Sequence, residues 1–377
     1  MNSSPEVRPV RTASEQRTFL TFPWRIYRDD PLWVPPLLPE RARTIDPSRG
    51  VFFQRGEAEF FIAWRGKEPV GTICAAVDPP ANAERNRREC IFGFFETIND
   101  LAVAEALIAT AAAWGRTRGL NALFGPFNLD YEDGYGVLIE GRDRPPVILC
   151  GHTPPYYQTL LEGMDFLSAR GDNLAYAWQV DLSTQQVQEV MAMADRVRKR
   201  KSYIIRTPDF AHLDDEVRQL HRLLNRALAH LPDHIPWQLE SVRQMVEPFV
   251  HFADPELILF AELDGETVGW FPGIPNLNEA LIHANGLRHP WDYVPLWLHL
   301  NRKPKCLAIK SVLVEPEHWG SGLAILLFAE MAARVARKGY EWVDLSLTSA
   351  DNPRTPQLAD RMGARLYKRY RVYRKSI

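Results

Sequence analysis

The sequence predicts an α/β fold with mixed sheets, built from two tandem copies of one strand–strand–strand–helix–strand unit. Two observations support this fold class: a strand, glycine turn and amphipathic helix between Ile309 and Gly339, and a pair of similar segments about 200 residues apart. The chain has 377 residues, of which 46% are hydrophobic, so it can bury the cores of two domains.

The strand–turn–helix stretch is the clearest element. A short β-branched run up to Val314 predicts a buried strand, and Pro316 ends it because proline has no N–H for a sheet ladder. After Gly320 and Gly322, apolar residues follow the spacing of one helix face: Ala324, Leu327, Phe328, Met331 and Val335. Free N–H groups at the start of such a helix suit a diphosphate, although a plain strand-to-helix turn has the same pattern.

The repeat is visible in two segments. Residues 60–77, FFIAWRGKEPVGTICAAV, resemble residues 257–274, LILFAELDGETVGWFPGI, and in both an alanine precedes a Val-Gly pair by seven residues. Each segment predicts two strands joined at a glycine turn. Further along, Gly119 stands opposite Gly339 at the ends of corresponding helices. We therefore expect two domains, residues 1–182 and 183–377.

The two copies differ where the diphosphate turn is expected. Asp100-Leu101-Ala102 stands in the first copy where Gly320-Ser321-Gly322 stands in the second. Asp100 is a good N-cap, so its carboxylate would occupy the free N–H groups and repel a phosphate. Only the second domain is therefore expected to bind a nucleotide-type cofactor.

Three other segments leave alternatives open. Residues 5–60 are rich in proline and aromatics, which predicts an extended wrap around the first domain or the lining of a pocket. The loop containing Asn128, Asp130, Glu132 and Asp133 is either a solvated turn or an amine-binding or acid–base site. The basic segment from Arg365 to Lys375 is a solvated strand face, or it meets a phosphate or an acidic lipid surface.

Composition excludes several classes of function. The net charge of −2 offers no basic field for nucleic acid. The four cysteines lack any C-x-x-C spacing, and the histidines lack paired ligand spacing, so no metal site is expected. The N-terminus lacks the apolar core of a secretory signal, and no apolar run reaches the length of a membrane span. A cytoplasmic protein is expected, with peripheral contact to the inner membrane left open.

These motifs resemble the GNAT superfamily of acyl-CoA-dependent N-acyltransferases, as two tandem copies with the first one degenerate. The resemblance implies that acyl-CoA is a co-substrate and that Leu307–Val314 and Trp342–Leu347 are strands that part to admit its pantetheine arm. The resemblance also implies that backbone groups of Val312 and Val314 hold the pantetheine arm. The complete set of cofactor-binding residues carried over is Val312, Leu313, Val314, Trp319, Gly320, Ser321, Gly322, Leu323, Ala324 and Asn352.

The resemblance is incomplete at the catalytic positions. Ala359 stands where the family usually has a tyrosine general acid, so Tyr367 is the candidate substitute. A base is also required, because the acceptor amine must lose a proton. The candidates are Glu315, His283 and Glu262 in the second half, with Glu132 and His152 in the first. His283, in a run that predicts a strand, is a structural or a catalytic histidine.

Within the superfamily, the segments GPFN, RPPVIL and PPYY resemble a bacterial group that includes ceramide synthases. That resemblance implies transfer of a long fatty acyl chain to the primary amine of a sphingoid base, an activity of lipid metabolism. A non-catalytic acyl-CoA or lipid-binding protein and an acetyltransferase of small amines are the alternatives.

Overall fold

A computed structural model describes residues 4–129, 135–230, 236–250, 253–310, 312–352 and 354–377. Its helices are α1 (Ala13–Thr21), α2 (Pro23–Ile26), α3 (Leu38–Thr44), α4 (Pro79–Glu84), α5 (Leu101–Arg116), α6 (Tyr156–Gly163), α7 (Gln185–Arg200), α8 (Leu213–Leu228), α9 (Leu239–Val250), α10 (Asn278–Leu281), α11 (Tyr293–Leu300), α12 (Leu323–Lys338) and α13 (Arg354–Arg361). Its strands are β1 (Glu6–Pro9), β2 (Glu57–Arg65), β3 (Glu68–Val77), β4 (Glu89–Thr97), β5 (Ala122–Gly125), β6 (Val137–Glu140), β7 (Leu167–Ser168), β8 (Asn173–Gln179), β9 (Ile204–Arg206), β10 (Ile258–Leu263), β11 (Glu266–Pro275), β12 (Cys306–Ile309), β13 (Leu313–Val314), β14 (Trp342–Ser349), β15 (Arg365–Arg371) and β16 (Tyr373–Ser376).

The chain forms two compact units. The first comprises Met1–Asn173, Leu277–Arg302 and Lys368–Ile377. Its sheet has the strand order β1-β2-β3-β4-β5-β16-β7, in which β4 and β5 are parallel and the other pairs antiparallel. Helix α5 buries Val103, Leu107 and Ala111 against this sheet. The mixed sheet confirms the predicted fold class.

The second unit comprises Leu174–Asn276 and Lys303–Tyr367. Its strands follow the order β8-β14-β12-β11-β10-β9, with β13 paired to β11 beside that path. Strands β12 and β14 are parallel, whereas β11 is antiparallel to β10 and β12. Helix α12 buries the predicted apolar stripe of Leu327, Phe328, Met331 and Val335, and Gly339 ends it in the left-handed conformation, as expected.

The repeated hairpins have the same internal register. Ala63 pairs with Gly71 in the first unit and Ala261 pairs with Gly269 in the second, and in both hairpins the register shifts immediately after that alanine. A bulge at an equivalent position in two separate sheets is a specific feature, because it changes which side chains face the core. The similarity predicted from the sequence therefore extends to the pairing of individual residues.

The matched glycines also receive equivalent side chains. A Cβ on Gly71 would lie 2.7 Å from Leu107 Cδ1 on α5, and a Cβ on Gly269 would lie 3.3 Å from Leu327 Cδ1 on α12. Each helix therefore approaches its hairpin through a leucine seated over a glycine.

The expectation for residues 5–60 was wrong in part. This segment contains β1, which pairs with β2, and the helices α1 to α3, rather than a mainly extended wrap. Thr12 and Glu15 form a capping box that starts α1, and α2 begins with Pro23 in its first turn, where a missing N–H costs nothing. The segment also lines a cavity of about 550 Å³ in the first unit, which was the alternative interpretation.

The compact units follow packing rather than the predicted sequence boundaries. Residues 1–182 and 183–377 remain a prediction about the duplicated sequence. In the structure, residues 277–302 and 368–377 belong to the first unit although they lie in the second half of the chain. Within the described residues, no helix combines the length and hydrophobicity needed to cross a bilayer.

Candidate acyl-CoA site

The turn between β13 and α12 has the backbone that its glycines predict. After the short 3₁₀ helix Pro316–His318, Gly320 has φ 77° and Gly322 has φ 89°, both in the left-handed region. Side chains other than glycine adopt this region at a cost, so the two glycines allow the chain to reverse before the helix.

Helix α12 starts without a side chain bonded to its first N–H groups from the N-cap position, which Gly322 occupies. The hydroxyl of Ser321 accepts from the N–H of Leu323 at 3.3 Å. Among the described residues, the N–H groups of Gly322, Ala324 and Ile325 find no acceptor. Such a group of donors at the positive end of a helix dipole is suited to an anion.

The corresponding helix in the first unit is closed to an anion. Asp100 caps α5 by accepting from the N–H groups of Ala102 at 3.0 Å and Val103 at 3.4 Å. Arg65 donates to the same carboxylate at 2.8 Å and lowers its pKa, so the negative charge persists at neutral pH. The predicted N-cap is confirmed.

The strand leading to this turn is not continuous, contrary to the single strand expected up to Val314. Residues Cys306–Ile309 pair in parallel with Trp342–Leu345, and the pairing stops at that point. The chain then moves away, and β13 pairs with β11 instead of β14. The two strands therefore part after Ile309 and Leu345, which opens an edge within the second unit.

The ladder register shows which backbone groups face this edge. The N–H of Glu315 donates to the carbonyl of Val268 on β11 at 3.0 Å. Because alternate residues of an antiparallel strand bond to the same neighbour, the backbone groups of Val312 and Val314 point away from β11, towards the gap. The indole Nε1 of Trp319 donates to the Val314 carbonyl at 3.0 Å, so this side chain adjoins the gap as well.

Comparison with known proteins identifies a family to which this part of the chain is similar. Residues 217–364 match the model of the acetyltransferase (GNAT) family. This part of the chain is therefore a GNAT domain. A bacterial ceramide synthase of Caulobacter vibrioides is 29% identical over 390 aligned residues, which cover 100% of this chain and 98% of the relative. Protein YghO of Escherichia coli is 27% identical, with 98% and 95% covered.

Solved structures support the tandem GNAT fold. A tandem GNAT protein from the clavulanic acid biosynthesis pathway has a TM-score of 0.58 at 13% identity and covers 99% of this chain and 98% of its own. A GCN5-related glucosamine N-acetyltransferase region of a fungal multi-domain GH3 β-N-acetylglucosaminidase has a TM-score of 0.57 at 12% identity, covering 99% and 38%. Enzymes of the GNAT family use acyl-CoA as co-substrate, and the uncapped turn and the parted strands fit that molecule.

Glu315 lies next to the parted strands. Its side chain is 3% exposed and its carboxylate is 3.2 Å from Nε of Arg226. Burial raises the pKa of Glu315, and Arg226 opposes that change. Burial makes a carboxylate more basic than it is in water, which suits the role of a general base.

Tyr367, the candidate general acid, has another partner in this GNAT unit. Its hydroxyl donates to Asp344 Oδ1 at 2.8 Å, and Lys310 Nζ lies 3.3 Å from Asp344 Oδ2. Asp344 is fully buried on β14, one residue before the end of its pairing with β12. Sequence reasoning missed Asp344 and Lys310, because nothing in the local pattern around either residue indicates the other.

The remaining base candidates lie elsewhere or are already paired. His283 is exposed, follows α10 in a turn rather than a strand, belongs to the first unit and stacks on His299 with ring centroids 3.8 Å apart. Glu262 forms an ion pair with Arg206 at 2.5 Å. Glu132 lies outside the described residues, as do Asp130 and Asp133.

The last predicted cofactor-binding residue, Asn352, is exposed in the turn before α13. Its N–H donates to the carbonyl of Ser349 at 3.0 Å. Ala359, at the position of the family's usual tyrosine, is 3% exposed and packs into the core of the second unit. A methyl group has no proton to donate, so this position contributes packing only.

The first unit places His152, one of the predicted base candidates, in a buried acid–base cluster whose other members the sequence did not reveal. His152 Nε2 lies 2.7 Å from Asp30 Oδ2, and the other ring nitrogen of His152 is buried without a partner among the described residues. Nearby, Tyr157 donates to Glu96 at 2.6 Å, and Tyr27 donates to the carbonyl of His152 at 3.0 Å. Burial lowers the pKa of His152 and raises that of Glu96 to about 7.

In the basic C-terminal segment Arg365 is exposed, but from Lys368 onward the segment is neither a solvated face nor a free cationic surface. Arg371 pairs with Asp172 at 2.9 Å and Arg374 pairs with Glu89 at 2.9 Å. Lys368 is fully buried and donates to two backbone carbonyls, and burial lowers its pKa to about 8. These cations are committed to partners in the first unit.

The absence of a metal remains a prediction. Glu315, Glu317 and His318 bring potential ligand atoms within 4.8 Å of one another. Arg226 already pairs with Glu315, and Tyr203 bonds to His318 Nδ1 at 3.1 Å. The cluster is therefore accounted for by protein contacts.

Proposed function

We propose that this GNAT enzyme transfers a long fatty acyl chain from acyl-CoA to the primary amine of a sphingoid base. The uncapped glycine turn beside two parted strands in the second unit carries the acyl-CoA part of this proposal. The similarity to a bacterial ceramide synthase along the whole chain supports the choice of acceptor.

The residues suited to hold acyl-CoA are the ones carried over from the family. The N–H groups around Gly322 and Ala324 would receive the diphosphate. The backbone of Val312 and Val314 would pair with the pantetheine amides, because it faces the gap between the strands. An N–H at the same edge would donate to the thioester oxygen as negative charge develops there.

Acyl transfer requires the acceptor nitrogen to lose two protons, one from the ammonium group before attack and one after the C–N bond has formed. The neutral amine nitrogen attacks the thioester carbonyl carbon, the C–N bond forms, the C–S bond breaks and the nitrogen releases its second proton to solvent, while the leaving thiolate takes up one proton from solvent or from Tyr367. Glu315 is the proposed base, since it directly follows β13, one of the strands that border the gap, and burial raises its pKa.

The first unit is proposed to shape the acceptor pocket. Its cavity of about 550 Å³ has a volume suited to a small molecule or part of a lipid, and Trp24, Tyr27 and Trp33 are among its lining residues. Asp30, which pairs with His152, also lines it and offers a carboxylate to an ammonium group. A cytoplasmic location and peripheral contact with the inner membrane belong to the same proposal.

An acyl-transfer assay tests the proposal. The purified protein is incubated with acyl-CoA of short and long chain and with a sphingoid base, a small amine or a peptide N-terminus. Released CoA is measured with a thiol reagent, and the amide is identified by mass spectrometry. We expect the long-chain acyl-CoA and the sphingoid base to give the highest kcat/KM. Turnover with the small amine alone would support an acetyltransferase instead.

A non-catalytic acyl-CoA-binding protein is the second candidate, because Ala359 supplies no proton at the family's tyrosine position. Calorimetry separates the two. Tight binding of CoA without release of CoA from any acyl donor would support the binding protein. Turnover that falls at least tenfold in Glu315→Gln, with binding of CoA unchanged, would support the enzyme and its proposed base.

A further inference from the structure

Helix α11 and Trp291, two residues before the helix begins, expose large apolar side chains. Trp291, Tyr293, Val294, Trp297 and Leu298 are between 49% and 67% exposed, and we call this set the α11 face. At about 100° per residue, the members within the helix lie on one continuous side of it. Contiguous exposed apolar surface of this kind marks an interaction site.

The opposite side of α11 is anchored, so the face is held outwards. His299 stacks on His283, with ring centroids 3.8 Å apart, and its Nδ1 bonds to the Pro295 carbonyl at 2.8 Å. Before the helix, Asp292 is buried and accepts from the N–H of His289 at 2.8 Å. The α11 face is therefore on the side of the helix away from these contacts.

The exposed charges that are close to α11 along the sequence have one sign. From residue 280 to residue 303, the charged residues are Arg288, Asp292, Arg302 and Lys303. Asp292 is buried, whereas the three cations are exposed. A negatively charged surface is complementary to this segment.

We propose that the α11 face docks on an anionic lipid bilayer. Tryptophan and tyrosine favour the boundary between headgroups and acyl chains, and flanking arginine and lysine favour anionic headgroups. A second copy of the chain is a poorer partner, because a two-fold contact through this face would bring like charges together. The inference rests on the proposed function in one respect: docking would give the enzyme access to amines dissolved in the membrane.

Vesicle co-sedimentation tests the docking without any acyl transfer. The full chain is mixed with vesicles of phosphatidylcholine alone or with phosphatidylglycerol added. We expect binding to the anionic vesicles to fall at least about tenfold in the double variant Trp291→Ser/Trp297→Ser, because each tryptophan would lose its buried apolar area. Arg302→Gln should weaken binding about fivefold at low salt and less at high salt.

Leu167→Ser is the matched control, since Leu167 is 73% exposed in the first unit but lies outside the α11 face. It should bind vesicles as the unmodified chain does. Thermal unfolding is recorded for every variant, and unchanged midpoints are expected because the altered side chains are exposed.

Several outcomes overturn the proposal. The first is that the double variant binds vesicles as well as the unmodified chain, and the second is that Leu167→Ser loses as much binding as the double variant. The third is that the chain does not bind vesicles but forms a dimer, which the double substitution dissociates. Failure of the acyl-transfer proposal would give a different result: the chain would still bind vesicles, but it would release no CoA. Docking would be supported if the double variant turned over a soluble amine at the normal rate but lost turnover of an amine embedded in vesicles.

Discussion

Replacing Ser321 by aspartate should change stability and CoA affinity in opposite directions. Ser321 lies immediately before the N-cap of α12, and its hydroxyl already accepts from the N–H of Leu323. A carboxylate there would reproduce the arrangement of Asp100 at α5, where aspartate bonds to two N–H groups. Such a charge at a helix N-terminus stabilises the fold by about 0.5–1 kcal/mol.

The same carboxylate should oppose a diphosphate. At about 5 Å, two unit charges repel by about 1–3 kcal/mol for effective dielectric constants of about 80 down to 20. CoA affinity should therefore fall about 5- to 150-fold. Ser321→Asn is the matched control, because asparagine has nearly the same shape without the charge and should reduce the affinity much less.

Two measurements together test this reasoning. Calorimetric titration with CoA gives the affinity, and titration with pantetheine, which lacks the diphosphate, should show no difference between the variants. Thermal unfolding gives the stability. Equal CoA affinities of Ser321→Asp and Ser321→Asn would refute the assignment of the diphosphate to this helix, and a destabilised Ser321→Asp chain would refute the capping argument.

Three further predictions concern stability, pH and catalysis. Gly322→Ala should lower the free energy of unfolding by about 2 kcal/mol or more, because φ is 89° and the new Cβ would lie 2.4 Å from Val197 Cγ2. In a double-mutant cycle, Val197→Ala should recover the steric part of this loss, and the absence of coupling between the two substitutions would contradict the prediction. Burial raises the pKa of Glu96 from 4.5 to about 7, so the folded state holds this proton more tightly than the unfolded state does. The stability relative to Glu96→Gln should therefore fall by up to about 3 kcal/mol as the pH rises from about 5 to 7. Thermal-unfolding midpoints of the two chains that change in parallel with pH would exclude this. Tyr367→Phe removes a donor from buried Asp344 and should cost about 1–2 kcal/mol of unfolding free energy with little change in kcat; a tenfold loss of kcat at unchanged stability would instead make Tyr367 the general acid.

The parts of the fold that were predictable from sequence have local causes. The stripe on α12, the glycine that ends it and the two hairpins each depend on residues close together in the chain. The duplicated pattern added the decisive contrast between Asp100-Leu101-Ala102 and Gly320-Ser321-Gly322, because two copies of one scaffold show which segment was changed. Comparing the copies therefore revealed more than either copy alone.

The errors at the N-terminus had a readable signal. Thr12 and Glu15 have the spacing of a capping box, which predicts a helix start, but the many prolines favoured an extended interpretation. Pro23 and Pro39 instead lie in the first turns of α2 and α3. Proline breaks a helix only where its N–H would have been bonded.

The site residues that were missed depend on distant pairs. Asp344 meets Lys310 from 34 positions away, and His152 meets Asp30 from 122 positions away. The basic C-terminal segment shows the same limit, because its carboxylate partners lie about 200 or more positions earlier. Local charge density does not reveal whether a cation is free or paired.

The position of β16 has a consequence for the order of assembly. Tyr373–Ser376 lies between β5 and β7 in the sheet of the first unit. During synthesis, the whole second unit leaves the ribosome before this strand does, so β5 keeps an open edge until the end. The half of the chain that is made first is therefore the last to complete its sheet, and a fragment cut at residue 182 would lack the strand that completes it.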